Sequence, residues 1–392
     1  VLPAVGNLTD DNGDGLINDN DTPDIAFVDW TSGELTVVHG DGTGVVLQMA
    51  GFSGYAGITI ADVDVDGTPE IIAMTSAGEV ICLDGTGTVE WTSARVSTGT
   101  FPQPAVADLD ADGDVEVVFD RAVLAGIDGS TIVSLSDPAT LWRTPVLADI
   151  DADGTQEIIL GELVYDHSGA VRWSSVTSGS GNFAAVANVD SDVEAEVFFL
   201  TGSDMLIYEA NGTLINRVPI PGSNPGPPSV ADFDGDGDVE IAIPANTSIS
   251  VWEVGGTMNW SSRISDNSGL AGCSGYDIDG DGAYELLYAD ESMFRIFDGA
   301  AGTLLYSNSS HNSGTLWEYP VTADVDRDGS AEIVIASNSG TWKGITVFGH
   351  SGSGWQASGP TWGTHDFAVT NLDADGTVPS PAPLPWTVHN VF

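Results

Sequence analysis

Residues 231–243 have the sequence Ala-Asp-Phe-Asp-Gly-Asp-Gly-Asp-Val-Glu-Ile-Ala-Ile, in which an acidic turn separates two β-strand patterns. The carboxylates of Asp232, Asp234 and Asp236 alternate, so a tight loop can direct all three toward one point. The glycine that follows relieves the backbone where a side chain would be strained, and Glu240 arrives where the next apolar run begins. Alternating oxygen ligands, a glycine and a closing acid are the pattern of a Ca²⁺ loop. Without a cation these four carboxylates would repel one another, so the spacing predicts a bound metal.

The same turn recurs along the chain, and the repeat predicts the architecture. Between the copies at 62 and 324 the spacing averages about 44 residues, a period typical of four-stranded propeller blades. Besides the first set, the predicted metal ligands are Asp62, Asp64, Asp66 and Glu70; Asp108, Asp110, Asp112 and Glu116; Asp149, Asp151, Asp153 and Glu157; Asp277, Asp279, Asp281 and Glu285; and Asp324, Asp326, Asp328 and Glu332.

Two further turns depart from the pattern. In the turn at 188–196, Asn188 replaces the first Asp and Val193 replaces the glycine, whereas the turn at 371–376 lacks the closing acid. The sequence leaves open whether either turn binds a metal.

The first residues of the chain contain an acidic loop of a different kind. Over twelve residues it presents oxygen-bearing side chains at the first, third, fifth, ninth and twelfth positions and glycine at the sixth, like an EF-hand loop. These predicted ligands are Asp10, Asn12, Asp14, Asn18 and Asp21. No helical pattern flanks the loop, so we interpret it as a metal loop within a β context.

Each repeat contains four short β-patterns, and no long helical periodicity is present. We therefore predict an all-β fold: an eight-bladed β-propeller with four-stranded antiparallel blades and metal loops between the first and second strands. Seven blades are the alternative if one repeat is irregular. Residues 1–364 would form the blades, and 365–392 would close the ring by placing a strand against the first blade. The inner strand of that blade comes either from this segment or from residues 1–8.

The composition excludes several classes of function. The chain has 9 Lys and Arg residues against 58 Asp and Glu residues, for a formal net charge of −49. Such a balance argues against nucleic acid, because binding to phosphates needs basic side chains. No apolar run approaches the length of a membrane span. Neither cysteine, Cys82 or Cys273, is expected in a disulfide, and both are expected to be small buried residues.

The repeated Ala-Asp-x-Asp-x-Asp-Gly with its following acid and β-run resembles the FG-GAP and VCBS-type repeats of bacterial extracellular propellers and of the integrin α-subunit propeller. The resemblance covers nearly the whole chain. It implies that each acidic turn binds one Ca²⁺ between the first two strands of a blade, through the acids named above and one backbone carbonyl. It also implies an extracellular location, where Ca²⁺ is millimolar.

Sequence motifs for catalysis are lacking. There is no nucleophile elbow, phosphate-binding loop or Cys-x-x-Cys motif, and the histidines show no metal-ligand spacing. We therefore expect a non-enzymatic adhesion or binding module, with a protein or glycan as ligand. The alternatives are a self-assembling subunit of a filament or sheath, and a polysaccharide lyase or hydrolase, for which Arg143, Arg263 and Arg327 are the cations to inspect.

The eleven tryptophans fall into two groups. Those that recur at one position of the repeat are expected to pack in the core: Trp91, Trp173 and Trp260. Four others lie in Gly- and Ser-rich surroundings outside that register and are the candidates for a binding face: Trp317, Trp342, Trp355 and Trp362.

Overall fold

Eight antiparallel β-sheets form the blades of a propeller in a computed structural model that describes residues 2–96, 101–136, 144–175, 183–220, 224–352 and 354–392. Seven of these sheets have four strands, and the last has three. The predicted eight-bladed fold is therefore confirmed. Consecutive strands pair with one another in every sheet, so each blade is one continuous segment of the chain.

The strands are numbered in chain order. Blade 1 contains β1 (Ala4–Gly6), β2 (Asp24–Val28), β3 (Glu34–His39) and β4 (Val45–Ala50). Blade 2 contains β5 (Thr59–Ala61), β6 (Glu70–Met74), β7 (Glu79–Leu83) and β8 (Val89–Arg95). Blade 3 contains β9 (Pro104–Ala107), β10 (Glu116–Phe119), β11 (Ala122–Ala125) and β12 (Thr131–Ser134). Blade 4 contains β13 (Val146–Ala148), β14 (Glu157–Leu160), β15 (Leu163–Tyr165) and β16 (Val171–Ser174).

The second half of the ring follows the same order. Blade 5 contains β17 (Phe183–Ala187), β18 (Glu196–Leu200), β19 (Asp204–Tyr208) and β20 (Leu214–Pro219). Blade 6 contains β21 (Ser229–Ala231), β22 (Glu240–Ala245), β23 (Ser248–Glu253) and β24 (Met258–Arg263). Blade 7 contains β25 (Cys273–Tyr276), β26 (Glu285–Ala289), β27 (Phe294–Phe297) and β28 (Leu304–Asn308). Blade 8 contains β29 (Val321–Ala323), β30 (Glu332–Ser337) and β31 (Gly344–Phe348).

The first strand of each blade lies at the centre of the ring. From blade 1 to blade 7, the first strands of neighbouring blades contact one another. The first and second strands are almost entirely buried, whereas the fourth strands are largely exposed. Apolar clusters span neighbouring blades, one between blades 2 and 3 and another between blades 6 and 7. Because all inner strands run in one direction, the acidic turns that follow them lie on one face of the ring.

The ring closes through side-chain packing between blades 8 and 1. Val5 and Ile25 of blade 1 share one buried cluster with Val321 and Val334 of blade 8. Residues 4–6 form the inner strand of blade 1, which settles the alternative that the sequence left open. The predicted fourth strand of blade 8 is missing among its described residues, because the chain after β31 is rich in glycine, which disfavours strands.

The last segment of the chain has a path that we did not predict. Residues 365–392 add no strand to blade 1, and their regular structure is one 3₁₀ turn at Pro385–Thr387. Proline at alternate positions from 379 to 385 removes the N–H groups that a strand needs. The segment instead follows the inner strands, with hydrogen bonds from Leu147 of blade 4 to Asp366 and between Val230 of blade 6 and Phe392.

Candidate metal centres

The turn after β5 shows how an acidic turn is built. The Asp62 carboxylate accepts hydrogen bonds from the backbone N–H groups of Asp66 and Gly67, at 3.1 and 3.0 Å. These bonds require left-handed backbone at two positions, Val65 (φ +60°) and Gly67 (φ +92°). Such backbone favours glycine at the second of these positions. The local sequence therefore folds the Asp side chains around one point.

The other complete turns repeat this arrangement. In each, the first Asp accepts a hydrogen bond from the glycine five residues later, at 2.9 to 3.1 Å. The same two positions have positive φ in all of them. The residues that accept these bonds are Asp108, Asp149, Asp232, Asp277 and Asp324.

The closing acid of each turn has the same orientation throughout. Oε2 of Glu70 accepts the backbone N–H of Val63 at 2.9 Å, and Oε2 of Glu240 accepts that of Phe233 at 2.8 Å. The other oxygen, Oε1, is buried in both residues and has no hydrogen-bond donor among the described residues. A buried oxygen without a partner is costly, and a cation in the turn would supply one. The residues present therefore fit a metal ion.

Electrostatics support the same interpretation. Burial raises the pKa of Glu70 to about 9 and that of Glu240 to about 8, and the neighbouring Asp charges add to the effect. Burial likewise raises the pKa of Glu116, Glu285 and Glu332 to about 7. These carboxyl groups therefore bind either a proton or a cation, because a lone charge is unfavourable there.

The structure brings together most of the predicted ligands. Ligand atoms of Asp62, Asp64, Asp66 and Glu70 lie within 4.8 Å of one another. In blade 3 the corresponding cluster omits Asp112, and in blade 4 it omits Asp153. Oδ1 of Asp112 accepts the N–H of Asp114, and that of Asp153 accepts the N–H and hydroxyl of Thr155. Several acidic clusters can therefore hold a metal ion, through three or four side chains each.

Three turns continue the pattern through Asp234, Asp236, Asp279, Asp281, Asp326 and Asp328. In each, the third Asp accepts a backbone N–H two residues later, at 2.9 to 3.0 Å. Their closing acids accept the N–H of the residue after the first Asp, as Glu70 does.

The N-terminal loop lies at the same place in its blade, between β1 and β2. Asp10 accepts the N–H groups of Gly13, Asp14 and Gly15, at 2.8 to 3.1 Å. The fully buried Asp21 accepts those of Asn12 and Asn18, at 3.3 and 3.0 Å. Asn12, Asp14 and Asn18 each accept an N–H two residues later. In blade 1 this longer loop therefore takes the position that the shorter acidic turns have in the other blades.

One residue of this site was missed in the sequence. Asp24 begins β2, as Glu70 begins β6, and it accepts the N–H of Leu8 at 3.1 Å as Glu70 accepts that of Val63. Its Oδ1 lies 3.0 Å from Nδ1 of His39. Burial raises the pKa of Asp24 to about 6, although the bonds from Thr9 and Leu8 and the nearby His39 lower it. Strand register, rather than spacing, identifies it.

The two irregular turns depart from this architecture, although Glu196 of blade 5 still accepts the N–H of Val189 at 2.7 Å as the other closing acids do. In blade 5 none of the residues from 188 to 193 has positive φ, and Asn188 donates its amide to the carbonyl of Asp192. Its acidic cluster instead joins Asp190 and Glu196 to Glu209. In the turn at 371–376, Asn371 is bonded to residues 366 and 368 rather than to its own turn.

The fourth turn contains a basic side chain. The guanidinium of Arg172, on β16, donates to Asp151 at 2.5 Å and to Glu157 at 2.6 Å. The guanidinium thus forms ion pairs with two carboxylates of this acidic turn.

A cavity of about 740 Å³ lies between the inner strands and the last segment of the chain. Aromatic and carboxylate side chains line it, among them Tyr276, Asp277, Tyr284, Trp362 and Asp366, and its described lining contains no Arg or Lys. Neither Arg263 nor Arg327, the two described cations among those suggested for an enzyme, lines it. Arg263 is exposed at the end of β24, Arg327 contacts the carbonyl of Asp21 at 3.4 Å, and Arg143 lies outside the described residues.

The prediction for the tryptophans holds for the core group and fails for most of the binding-face group. Trp91 and Trp260 are buried at the boundaries between blades, and Trp173 is partly buried there, so the core prediction is confirmed. Of the four candidates for a binding face, Trp342 alone is largely exposed, at 44%. Trp317 is buried, Trp355 packs against blades 7 and 8, and Trp362 stacks on Phe367.

Both cysteines are free and buried, as expected. Among the described residues no helix is long and apolar enough to span a membrane.

Fold and site together define an eight-bladed β-propeller that carries clustered acidic turns on one face. Within this class, residues 277–335 match the family described as FG-GAP-like repeat. The match runs from the acidic turn of blade 7 into the second strand of blade 8, and the resemblance to FG-GAP-type repeats is confirmed.

Solved structures share the fold at low sequence identity. The biofilm matrix protein Bap1 of V. cholerae has a TM-score of 0.91 and 19% identity, over 100% of this chain and 95% of that one. The rhamnogalacturonan lyase YesW has a TM-score of 0.62 and 18% identity, and the rhamnogalacturonan lyase of Bacillus licheniformis has 0.61 and 20%. Each lyase match covers 86% of this chain and 69% of the lyase. No curated protein sequence is significantly similar to this chain.

Proposed function

We propose that this chain is a calcium-stabilised, extracellular and non-enzymatic propeller that binds a glycan or protein partner, as a component of a surface or matrix assembly. The observation that carries the proposal is the repeated acidic turn with a buried carboxylate oxygen left without a donor, as at Glu70 and Glu240. Clustered carboxylate oxygens suit Ca²⁺, which completes its coordination with backbone carbonyls and water, and millimolar extracellular Ca²⁺ would keep such sites filled.

Calcium acts here on stability rather than on chemistry. The turns lie between strands that already form the core, so a bound cation would neutralise carboxylates that the fold forces together. A ligand that binds only the native state stabilises it by about 4 kcal/mol per site at 1,000 times its dissociation constant. Several such sites would make the ring strongly dependent on calcium.

The central cavity is the best place for a ligand. Tyr276, Tyr284 and Trp362 present aromatic surface beside the carboxylates of Asp277 and Asp366. Aromatic rings stack on sugar rings, and carboxylates accept hydrogen bonds from hydroxyl groups. Because its described lining contains no Arg or Lys, the cavity favours a neutral glycan over an acidic one. The likeness to a biofilm matrix protein over the full chain is consistent with such a role.

The proposal is tested by light scattering and thermal melting, first in millimolar Ca²⁺ and then after chelation. A compact monomer in Ca²⁺ whose melting temperature falls on chelation supports it, and a melting temperature that ignores the chelator contradicts it. Binding is then measured on an array of neutral and acidic glycans. Release of unsaturated sugars from rhamnogalacturonan or another acidic polysaccharide would show that the chain is an enzyme instead.

A self-assembling subunit is the second candidate, and the outer rim favours it. The fourth strand is the edge of blades 1 to 7, and in each of these seven blades a large apolar residue at or next to its start is at least 40% exposed. These residues are Val45, Val89, Ile132, Val171, Leu214, Met258 and Leu304. Exposed edge strands with apolar side chains promote association. Large particles in the scattering experiment that dissolve on chelation would favour this candidate.

A further inference from the structure

The acidic turn of blade 4 differs from the others in the partner of one oxygen. Oε1 of the closing acid has no donor in Glu70 of blade 2 or in Glu240 of blade 6. In blade 4 the same atom of Glu157 accepts a hydrogen bond of 2.6 Å from Arg172. The second amino group of that guanidinium lies 2.5 Å from Oδ2 of Asp151. Two of the side chains that would ligate a metal are therefore bonded to an internal cation.

The position of Arg172 follows from the register of the fourth strand. From blade 1 to blade 7, each fourth strand begins on the face of the ring that carries the acidic turns. Near that end the register with the third strand shifts, because one residue of the fourth strand is skipped in the pairing. The skipped residue is polar in three blades: it is Glu90 in blade 2, Arg172 in blade 4 and Asn259 in blade 6. In blades 1, 3, 5 and 7 it is Val46, Ile132, Ile215 and Leu305.

This position faces the acidic side of the blade in all three polar cases. Glu90 accepts a hydrogen bond of 3.4 Å from Cys82, and Glu70, Cys82 and Glu90 form one cluster of ligand atoms. Asn259 donates to Glu253 at 2.8 Å, and Glu253 is the register partner of Glu240. The same position of the repeat therefore places a negative charge beside the acidic turn in blade 2, a positive charge in blade 4 and no charge in blade 6.

We infer that Arg172 is the resident cation of the fourth acidic turn and stands where the other complete turns would hold a divalent cation. Guanidinium is permanently charged and presents two parallel donors to two carboxylates, which matches the positions of Asp151 and Glu157. A divalent ion at the same carboxylates would face the repulsion of this charge. Blade 4 therefore binds no Ca²⁺ in the native chain and keeps its turn folded when calcium is removed. The inference rests on the proposed calcium binding of the other turns.

Three variants test the inference, each measured as Ca²⁺ bound per chain by equilibrium dialysis with metal analysis. Arg172→Gln removes the internal cation, and we expect one more Ca²⁺ per chain than in the wild type. Asn259→Arg places a cation at the equivalent position of blade 6, and we expect one fewer. Arg217→Gln is the control, because it makes the same charge change at an arginine that pairs with Asp204, outside the acidic turns. It should leave the number unchanged.

Thermal melting supplies a second measurement on the same proteins. On chelation, the melting temperature of Arg172→Gln should fall further than that of the wild type. The melting temperature of Arg217→Gln should fall by the same amount as that of the wild type. An Arg172→Gln protein with the wild-type calcium number and the wild-type response to chelation would overturn the inference. The inference would also be overturned if Asn259→Arg binds as many Ca²⁺ ions per chain as the wild type and melts at the wild-type temperature in Ca²⁺. If the wild type itself binds no calcium, the proposed function fails, and that result is distinct from both.

Discussion

The indole N–H of Trp91 in blade 2 donates a hydrogen bond of 2.6 Å to the backbone carbonyl of Gly126 in blade 3. The same bond joins Trp173 of blade 4 to Ala210 of blade 5 at 2.8 Å, and Trp260 of blade 6 to Gly299 of blade 7. Each ring covers the turn between the third and fourth strands of the next blade. A tryptophan on the fourth strand of blades 2, 4 and 6 thus bonds each of these blades to the next one.

The first prediction concerns the glycine under such a ring. A Cβ at Gly129 would overlap with the ring of Trp91, and Gly129 also has φ +67°. Gly129→Ala should therefore lower the free energy of unfolding through both strain and overlap, by about 3 kcal/mol. Gly42→Ala is the control, because Gly42 lies in the equivalent turn of blade 1 with φ +75° and no atom near its Cβ position. It should cost about 1 kcal/mol. Equal losses in denaturant unfolding would contradict the role of the ring.

The second prediction concerns one metal turn. Glu240→Gln keeps the oxygen that accepts the N–H of Phe233 but removes a charge. In Ca²⁺ the variant should bind calcium at this turn about tenfold more weakly, a loss of about 1.4 kcal/mol. After chelation near pH 7 it should be more stable than the wild type, because the buried Glu240, with its pKa raised to about 8, must then take up a proton and the amide need not.

The matched control is Asp238→Asn, an exposed residue of the same turn whose side chain is outside the predicted ligand set. It removes the same charge and should leave calcium affinity nearly unchanged. Calorimetric titration measures the affinity, and thermal melting measures the stability. If both variants respond alike, Glu240 is not a ligand.

The third prediction concerns pH. Burial raises the pKa of Glu318 from 4.5 to about 8, and one oxygen of its side chain accepts the amide of Asn338 at 3.0 Å. Between these pH values the native state holds a proton that the unfolded chain has released. The contribution of Glu318 to stability is therefore complete below about pH 4.5 and declines as the pH rises to about 8, by about 1.4 kcal/mol per pH unit.

Glu318→Gln removes this titration and keeps an oxygen for Asn338. The variant should match the wild type near pH 5 and be more stable near pH 8, when both are unfolded by denaturant in saturating Ca²⁺. An identical pH dependence of the two proteins would mean that Glu318 is ionised in the native state.

The fourth prediction concerns the last segment of the chain. The side chain of Asn390 accepts the N–H of Asn188 at 3.1 Å and donates to its carbonyl at 2.5 Å. Asn390→Ala should lower the free energy of unfolding by about 2 kcal/mol, because both backbone groups lose their partner. The exposed Asn267 is the control, and its replacement by alanine should change stability by less than about 0.5 kcal/mol. A loss as small as that of the control would mean that water replaces Asn390.

Much of the fold was predictable because its information is local. The spacing of Asp232, Asp234 and Asp236 defines a turn, the apolar run after Glu240 defines a strand, and their period defines the blades. The closing acids also follow from spacing, since each begins the second strand of its blade. These features depend on neighbours within about ten residues, where backbone sterics and ligand geometry act directly.

The tertiary structure alone decided what depends on contacts between distant residues. Asp24 takes the place of the closing acid through strand register, although the loop before it is longer than in the other blades. Arg172 reaches Glu157 across two strand pairings, and the chain around it carries no motif. Trp362 and the segment after it lie against the inner strands because the closed ring offers apolar surface there. Packing across the ring, rather than the local pattern, determines which carboxylates remain open to a cation and which tryptophans are buried.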